Sequence, residues 1–216
     1  MLARGAGTLD SIAALAPRGR NTDSAVLLRV LTEHVIVFAW LAADPERRFP
    51  LWLKDDSKKR LAIHNDWLEG KPPVLDEWPR VWFERVAAVD GVMPDTRTCA
   101  AQADEYWLTR LPGVLSRAAP ETTFVGQYQA VFRSASSYTH PGLMGLQTFI
   151  ADTPLGTVVD LEVAHTKELA TTMAPVMYAL GLHVASASLG WPDPAAINAA
   201  VAELAAAAQR PTEGAA

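Results

Sequence analysis

The sequence predicts an all-α protein: an antiparallel helical bundle of about seven helices with one short β-ribbon inserted. Three observations carry this expectation. Apolar residues recur at helical spacing along most of the 216-residue chain. The periodic stretches are parted by short breaks marked with proline or glycine. Helices of such length joined by such short connections become antiparallel neighbours, which is the geometry of a bundle. Half of the residues are hydrophobic and 20% are charged, the composition of a globular chain. One core therefore suffices, and the expected layout is a flexible segment over 1–22, a single bundle over 23–208 and a disordered tail over 209–216.

The elements follow in order. Asn21-Thr22-Asp23-Ser24 offers several N-cap side chains, and Ala25 to Ala43 then forms a helix. From Val35 onward its apolar residues cover nearly every face, so this helix is expected at the centre of the core. Asp44-Pro45-Glu46 ends it or starts a turn, and a more polar helix runs from Asp55 to Leu68. Gly70-Lys71-Pro72-Pro73 breaks the chain. A third helix covers Leu75 to Val89, with Pro79 tolerable only in its first turn. Asp95 or Thr96 caps a fourth helix reaching about Leu111, and Pro120 to Thr123 opens a fifth that is rich in aromatics: Phe124, Tyr128, Phe132 and Tyr138. Leu143 to Val163 does not read as helix; a turn at Thr153-Pro154-Leu155-Gly156 beside Val158, Val159, Leu161 and Val163 predicts the β-ribbon. Two helices, about Thr166–Leu189 and Pro194–Ala208, complete the chain before the tail.

Composition also narrows the function. The lone Cys99 excludes an internal disulfide and any multi-cysteine metal site. A net charge of −5 argues against coating nucleic acid through a broad basic face, while leaving room for a local cluster. The longest unbroken apolar run, Val35 to Ala43, is about half of what a membrane span needs, so no membrane association is expected. The N-terminus scatters arginines around a short Ala/Leu patch and lacks the layout of a secretory signal. A cytoplasmic location follows as the expectation. There is no phosphate-binding glycine loop, no His-Glu-x-x-His pair, no Gly-x-Ser-x-Gly elbow and no paired Glu-x-x-His, so no cofactor and no metal are expected.

Two places are unusual. Arg29, Glu33 and His34 lie inside a helix otherwise written in Leu, Val, Ile, Phe and Trp, where ionisable groups are costly unless paired. Arg29 and Glu33 are one turn apart and can pair on one face. The second place is the end of the fifth helix, where Arg133, Ser137 and His140 share one face because positions seven apart differ by only about 20° on a helix. Pro141 disfavours helical geometry at His140, which puts the imidazole at or just beyond the helix end, near the negative pole of its dipole. The bland reading of the same residues is an Arg133–Glu33 ion pair with a capping imidazole.

An arginine followed after four to six residues by a histidine, close to the end of a bundle helix, resembles the mark of the HEPN superfamily of helical domains. Here Arg133 and His140 carry it, with polar Ser134 directly after the arginine. The opening helix LLRVLTEHVIVFAWLAADPE and the segment SASSYTHPG are similar to an uncharacterised bacterial branch of such proteins, over roughly residues 24–145. The resemblance implies a metal-independent ribonuclease related to toxin or defence systems. In it His140 serves as acid or base and Arg133 stabilises the phosphate, with Glu33, Arg29, Ser137 and Tyr138 in support. It further implies RNA as substrate, a symmetric homodimer that brings His140 near its copy, and an antitoxin or other protein partner. Two other readings stand beside it. One is a non-catalytic HEPN-like binding or dimerisation module. The other is a small-molecule-binding bundle with a pocket lined by Trp40, Trp82, Trp107 and Tyr138, although tryptophans at helical spacing more often fill cores.

Overall fold

The computed structural model describes residues 1–67, 77–136, 150–153, 156–159, 164–190 and 192–208, with side chains placed for 1–63, 80–136, 170–190, 192–200 and 202–203. The fold is all-α. The helices are α1 (Leu2–Leu15), α2 (Asn21–Ala43), α3 (Pro45–Trp67), α4 (Glu77–Ala87), α5 (Thr96–Trp107), α6, α7 (Ala164–Leu189) and α8 (Pro194–Ala208). Helix α6 is composite: α-helix over Phe124–Gln127, a π-turn over Tyr128–Phe132, and α-helix again over Arg133–Ser136. The expected ribbon is present as two antiparallel strands, β1 (Ile150–Thr153) and β2 (Gly156–Val159), in the register Ile150 opposite Val159 through Thr153 opposite Gly156.

The chain divides into two compact units, residues 1–42 with 96–216 and residues 43–95, where the sequence suggested one. In the first unit α2 is the central helix, as its all-round hydrophobicity predicts: Leu28, Leu31, Val35, Ile36, Ala39 and Trp40 are all buried. Both core tryptophans satisfy their ring N–H. Trp40 Nε1 donates to Gln102 Oε1 at 2.7 Å, and Trp107 Nε1 donates to the Ala39 carbonyl at 2.9 Å.

Residues 1–22 are not a flexible lead-in. Residues 2–15 form α1, with Ile12 buried, and the helix packs closely because two glycines remove side chains at the contact. A Cβ at Gly5 would lie 3.3 Å from Leu31 Cδ1, and one at Gly181 would lie 3.1 Å from Leu2 Cδ2 and 3.3 Å from Val35 Cγ2. The sequence hides this helix because Gly5 and Gly7 lower its intrinsic propensity, and only tertiary packing offsets that.

In the second unit α3 begins at Pro45, ten residues before the expected start at Asp55. Pro45 takes the first helical position, where a missing N–H costs nothing, and Glu46 sits in the first turn against the positive end of the dipole. Pro50 lies inside the helix and gives up one ladder bond. Lys54 Nζ donates to the carbonyls of Val89 and Gly91, tying α3 to the chain after α4.

Helix α2 and the Ala170–Leu189 part of α7 are long and apolar enough to cross a membrane, with mean hydropathy of 1.8 and 1.2 over 18-residue windows. The buried share of those windows is 50% and 44%, and the core helix of a water-soluble bundle carries the same signature.

Candidate functional site

The two unusual places of the sequence meet in the first unit. Arg29 reaches from α2 to the last described turn of α6, where its Nε donates to Ser136 Oγ at 2.9 Å. The Ser136 hydroxyl in turn donates to the Phe132 carbonyl at 2.6 Å. The Arg29 guanidinium lies over the Phe132 ring, 4.6 Å from its centroid, and Tyr128 stacks on Phe132 with centroids 5.1 Å apart and planes at 19°. A cation held flat on an aromatic face while its Nε makes a directed bond uses the planar fork of arginine, which lysine lacks. Arg29 is thus a clasp on the C-terminal part of α6.

The N-terminal part of α6 is fixed differently. Asp104 of α5 is buried, and its two oxygens accept from the backbone N–H groups of Phe124 at 2.8 Å and Val125 at 2.9 Å. Thr123 adds the local cap by accepting from Gly126 N–H at 3.0 Å, while its own hydroxyl donates to the Pro120 carbonyl at 2.7 Å. These partners satisfy N–H groups that every helix start leaves open. Burial pushes the Asp104 carboxyl above the usual carboxylate range, against the opposing pull of the Val125 and Phe124 amides and the Thr123 side chain.

Between the two ends lies the π-turn. Arg133 N–H closes it by bonding to the Tyr128 carbonyl, five residues back. Such a turn inserts about one residue into the helical register, so the side chains after it are re-aimed relative to a straight helix. Periodicity alone cannot foresee that insertion. Arg133 and Ser134 emerge on the exposed side, whereas Ala135 is buried and Ser136 faces Arg29.

The expected Arg29–Glu33 ion pair is not formed. Arg29 turns to Ser136 and Phe132 instead, and Glu33 stays half-buried on α2. Nor does Arg133 pair with Glu33; its side chain is exposed at the surface. The reason is reach: the hydroxyl and the ring offered by α6 give the guanidinium a bond and a stacking face together, and a one-turn ion pair on α2 gives only the former. His34 is half-buried, with a buried Nδ1 that has no hydrogen-bond partner among the described residues. Desolvation lowers its pKa, the Arg4 guanidinium and the chain N-terminus push the same way, and Glu33 opposes them. Ser137, Tyr138 and His140 lie outside the described residues.

Of the suggested tryptophan pocket, Tyr138 lies outside the described residues and Trp82 belongs to the other unit. Trp40 and Trp107 are packed core residues, and Trp82, in the second unit, is 38% exposed. A cavity does open in the first unit, lined by none of these and holding His183, which the sequence reading passed over. Its only signal was a lone histidine in the apolar stretch MYALGLHVASAS. Asp104 was also missed. A carboxylate that caps a helix twenty residues ahead leaves no local pattern.

Compared with known proteins, residues 1–156 match the model of a family described as a family of unknown function, DUF5677. No curated protein and no solved structure matches the chain.

Proposed function

The chain belongs to DUF5677, a family of unknown function, and we propose that it is a metal-independent endoribonuclease of the HEPN kind, working through Arg133 and His140. The observation that carries the reading is the placement of Arg133. It is exposed at the C-terminal part of a bundle helix, on the turn that Arg29 clasps from the side three residues further on. The guanidinium is thereby free to meet a phosphodiester from solvent while its backbone is held.

In the proposed reaction His140 takes the proton of the ribose 2′-hydroxyl, or gives one to the leaving 5′-oxygen. The 2′-oxygen attacks phosphorus, the bond from phosphorus to the 5′-oxygen breaks, and a 2′,3′-cyclic phosphate and a 5′-hydroxyl result. Arg133 holds the phosphate and offsets the charge growing on its oxygens. A second copy of the chain, joined through an isologous contact, brings the second imidazole that separate acid and base roles call for. Arg29 has a supporting role: it fixes the turn that carries Arg133.

The test is cleavage of end-labelled RNA in excess chelator. The wild-type protein is expected to yield 5′-hydroxyl ends, His140→Ala to be slower by about 10²-fold or more, and Arg133→Ala by about 10²-fold. Equal cleavage by wild type and His140→Ala, or none by the wild type, removes the nuclease reading and leaves a non-catalytic helical binding module.

A further inference from the structure

Along α6 burial changes in a regular order around the helix. Val131 and Ala135 are buried, whereas Gln129, Ala130, Arg133 and Ser134 are exposed. Tyr128, Phe132 and Ser136 fall between them, a half-buried stripe of every fourth residue. Two rings of that stripe are stacked: the centroids of Tyr128 and Phe132 lie 5.1 Å apart, with their planes at 19°. Inside a core such a pair is ordinary packing. Here both residues keep part of their surface accessible, and each is followed directly by an exposed polar residue, Gln129 or Arg133.

Two guanidinium groups accompany the rings. Arg29 lies over Phe132, 4.6 Å from its centroid, and its Nε alone bonds the protein among the described residues, at 2.9 Å from Ser136 Oγ. Arg133 follows Phe132 in the chain, and its N–H bonds to the Tyr128 carbonyl. That bond sets Arg133 one turn from Tyr128, about 5 Å along the helix axis. The salt bridges among the described residues use other side chains, so neither arginine has a carboxylate partner there. A half-buried cation without a counter-charge is costly. An anion from outside the chain, bonded by the two remaining nitrogens of Arg29 and by Arg133, offsets that cost.

We infer that Tyr128 and Phe132, with Arg29 and Arg133 beside them, form a stacking platform for one unpaired nucleobase of a single-stranded RNA, next to the phosphate that Arg133 holds. The inference rests on the nuclease reading for that role of Arg133. The ligand class follows from the pairing of planar rings with cations one helical turn apart, since a nucleotide carries a flat base and an anion within the same short span. The strand must be single, because in a duplex the neighbouring bases cover the faces that would stack. Stacking selects no particular base, as each has a π-face. Two cations make a small footprint, which agrees with a net charge of −5: the chain meets a phosphate or two and not a long backbone.

The experiment is fluorescence anisotropy of the full chain with a labelled 2′-O-methyl hexanucleotide, whose blocked 2′-oxygens prevent cleavage, so that binding alone is read. It is run as a single strand, as a duplex with its complement, and with abasic residues on the same backbone. The single strand is expected to bind about tenfold tighter than either of the other two, the worth of one stacked base. Tyr128→Leu should bring the single strand to within about twofold of the abasic one and leave the abasic one unchanged. Arg133→Gln should weaken all three and lessen the salt slope by about 0.7, the share of one phosphate. Thermal melting confirms that each variant folds; should Tyr128→Leu fail to, quenching of a 2-aminopurine base when the wild type binds reads the same contact. Equal binding of the base-bearing and abasic strands overturns the platform, as does undiminished binding by folded Tyr128→Leu, a preference for the duplex, or no saturable binding at about 100 μM protein. Base-dependent binding without cleavage of ordinary RNA removes the nuclease reading and keeps the platform, whereas cleavage with base-independent binding removes the platform alone.

Discussion

Helix α6 is held at its two ends by opposite kinds of contact, and the contrast explains what each end can do. At Phe124 and Val125 two backbone amides are locked onto one buried carboxylate, Asp104, with Thr123 capping Gly126. At this end Gln127 is among the residues that line the cavity. At Arg133–Ser136 a side chain from α2 grips the helix through one hydrogen bond and one stacked ring, and Arg133 and Ser134 are exposed. Backbone anchoring gives a fixed reference, whereas side-chain clasping leaves a surface for chemistry. The π-turn between them lets one helix serve both.

The largest effect should come from breaking the anchored end at Gly126. A Cβ there would lie 1.9 Å from the Pro120 carbonyl oxygen and 2.8 Å from its carbon, both backbone atoms that cannot swing away. Gly126→Ala must therefore pull the first turn of α6 off its caps, and a loss of about 3 kcal/mol is expected in urea unfolding. A loss below about 1 kcal/mol would mean that the anchor yields easily and that the two ends differ less than their contacts suggest.

The clasped end should respond more mildly and more locally. Arg29→Met removes a charge-assisted hydrogen bond and a cation–π contact, together about 1–2 kcal/mol. Hydrogen exchange of the amides at 133–136 is expected to quicken, while those of Phe124 and Val125 keep their protection. Arg29→Lys should restore little, because a lysine cannot both stack flat and direct an N–H at Ser136 Oγ. Uniform quickening along α6 would show the helix opening as one unit and would erase the contrast.

How much of this was legible in the sequence depends on how far apart the partners lie. Helix α2, the start of α5, the Pro120–Thr123 opening of α6, the ribbon and both C-terminal helices could be read from periodicity, caps and breakers, all local signals. Helix α1 was missed because its glycines read as flexibility until Leu2, Leu31, Val35 and Tyr178 are set against them. The start of α3 was missed because Pro45 and Pro50 read as breakers although the first is a helix starter. Within the site, Arg29 was singled out for being charged on an apolar helix, and that oddity was real. Its partner was not foreseeable: Ser136 lies 107 residues away, and the π-turn that aims it has no periodic signature.

The smallest effect concerns acid, and it separates the two ends once more. Desolvation lowers the pKa of both His34 and His183 below the ordinary histidine value of about 6.5. The unfolded chain thus binds more protons than the folded one in the window below that value, and stability rises with pH there. The contribution of the neutral imidazoles is complete above about pH 6.5 and is lost as pH falls through their lowered folded-state values. The raised Asp104 carboxyl acts in the opposite direction, so the histidine contribution is read as the difference: urea midpoints should fall toward acid less in His183→Gln than in the wild type. His183 lines the cavity with Gln127, at the anchored end of α6, so its protonation, together with that of the Asp104 carboxylate that holds the amides of Phe124 and Val125, should loosen these amides before those of 133–136. That order is the reverse of the one expected for Arg29→Met. If acid instead frees the 133–136 amides first in the His34-intact protein, His183 is not coupled to the anchor, and the two ends answer to pH through α2 alone.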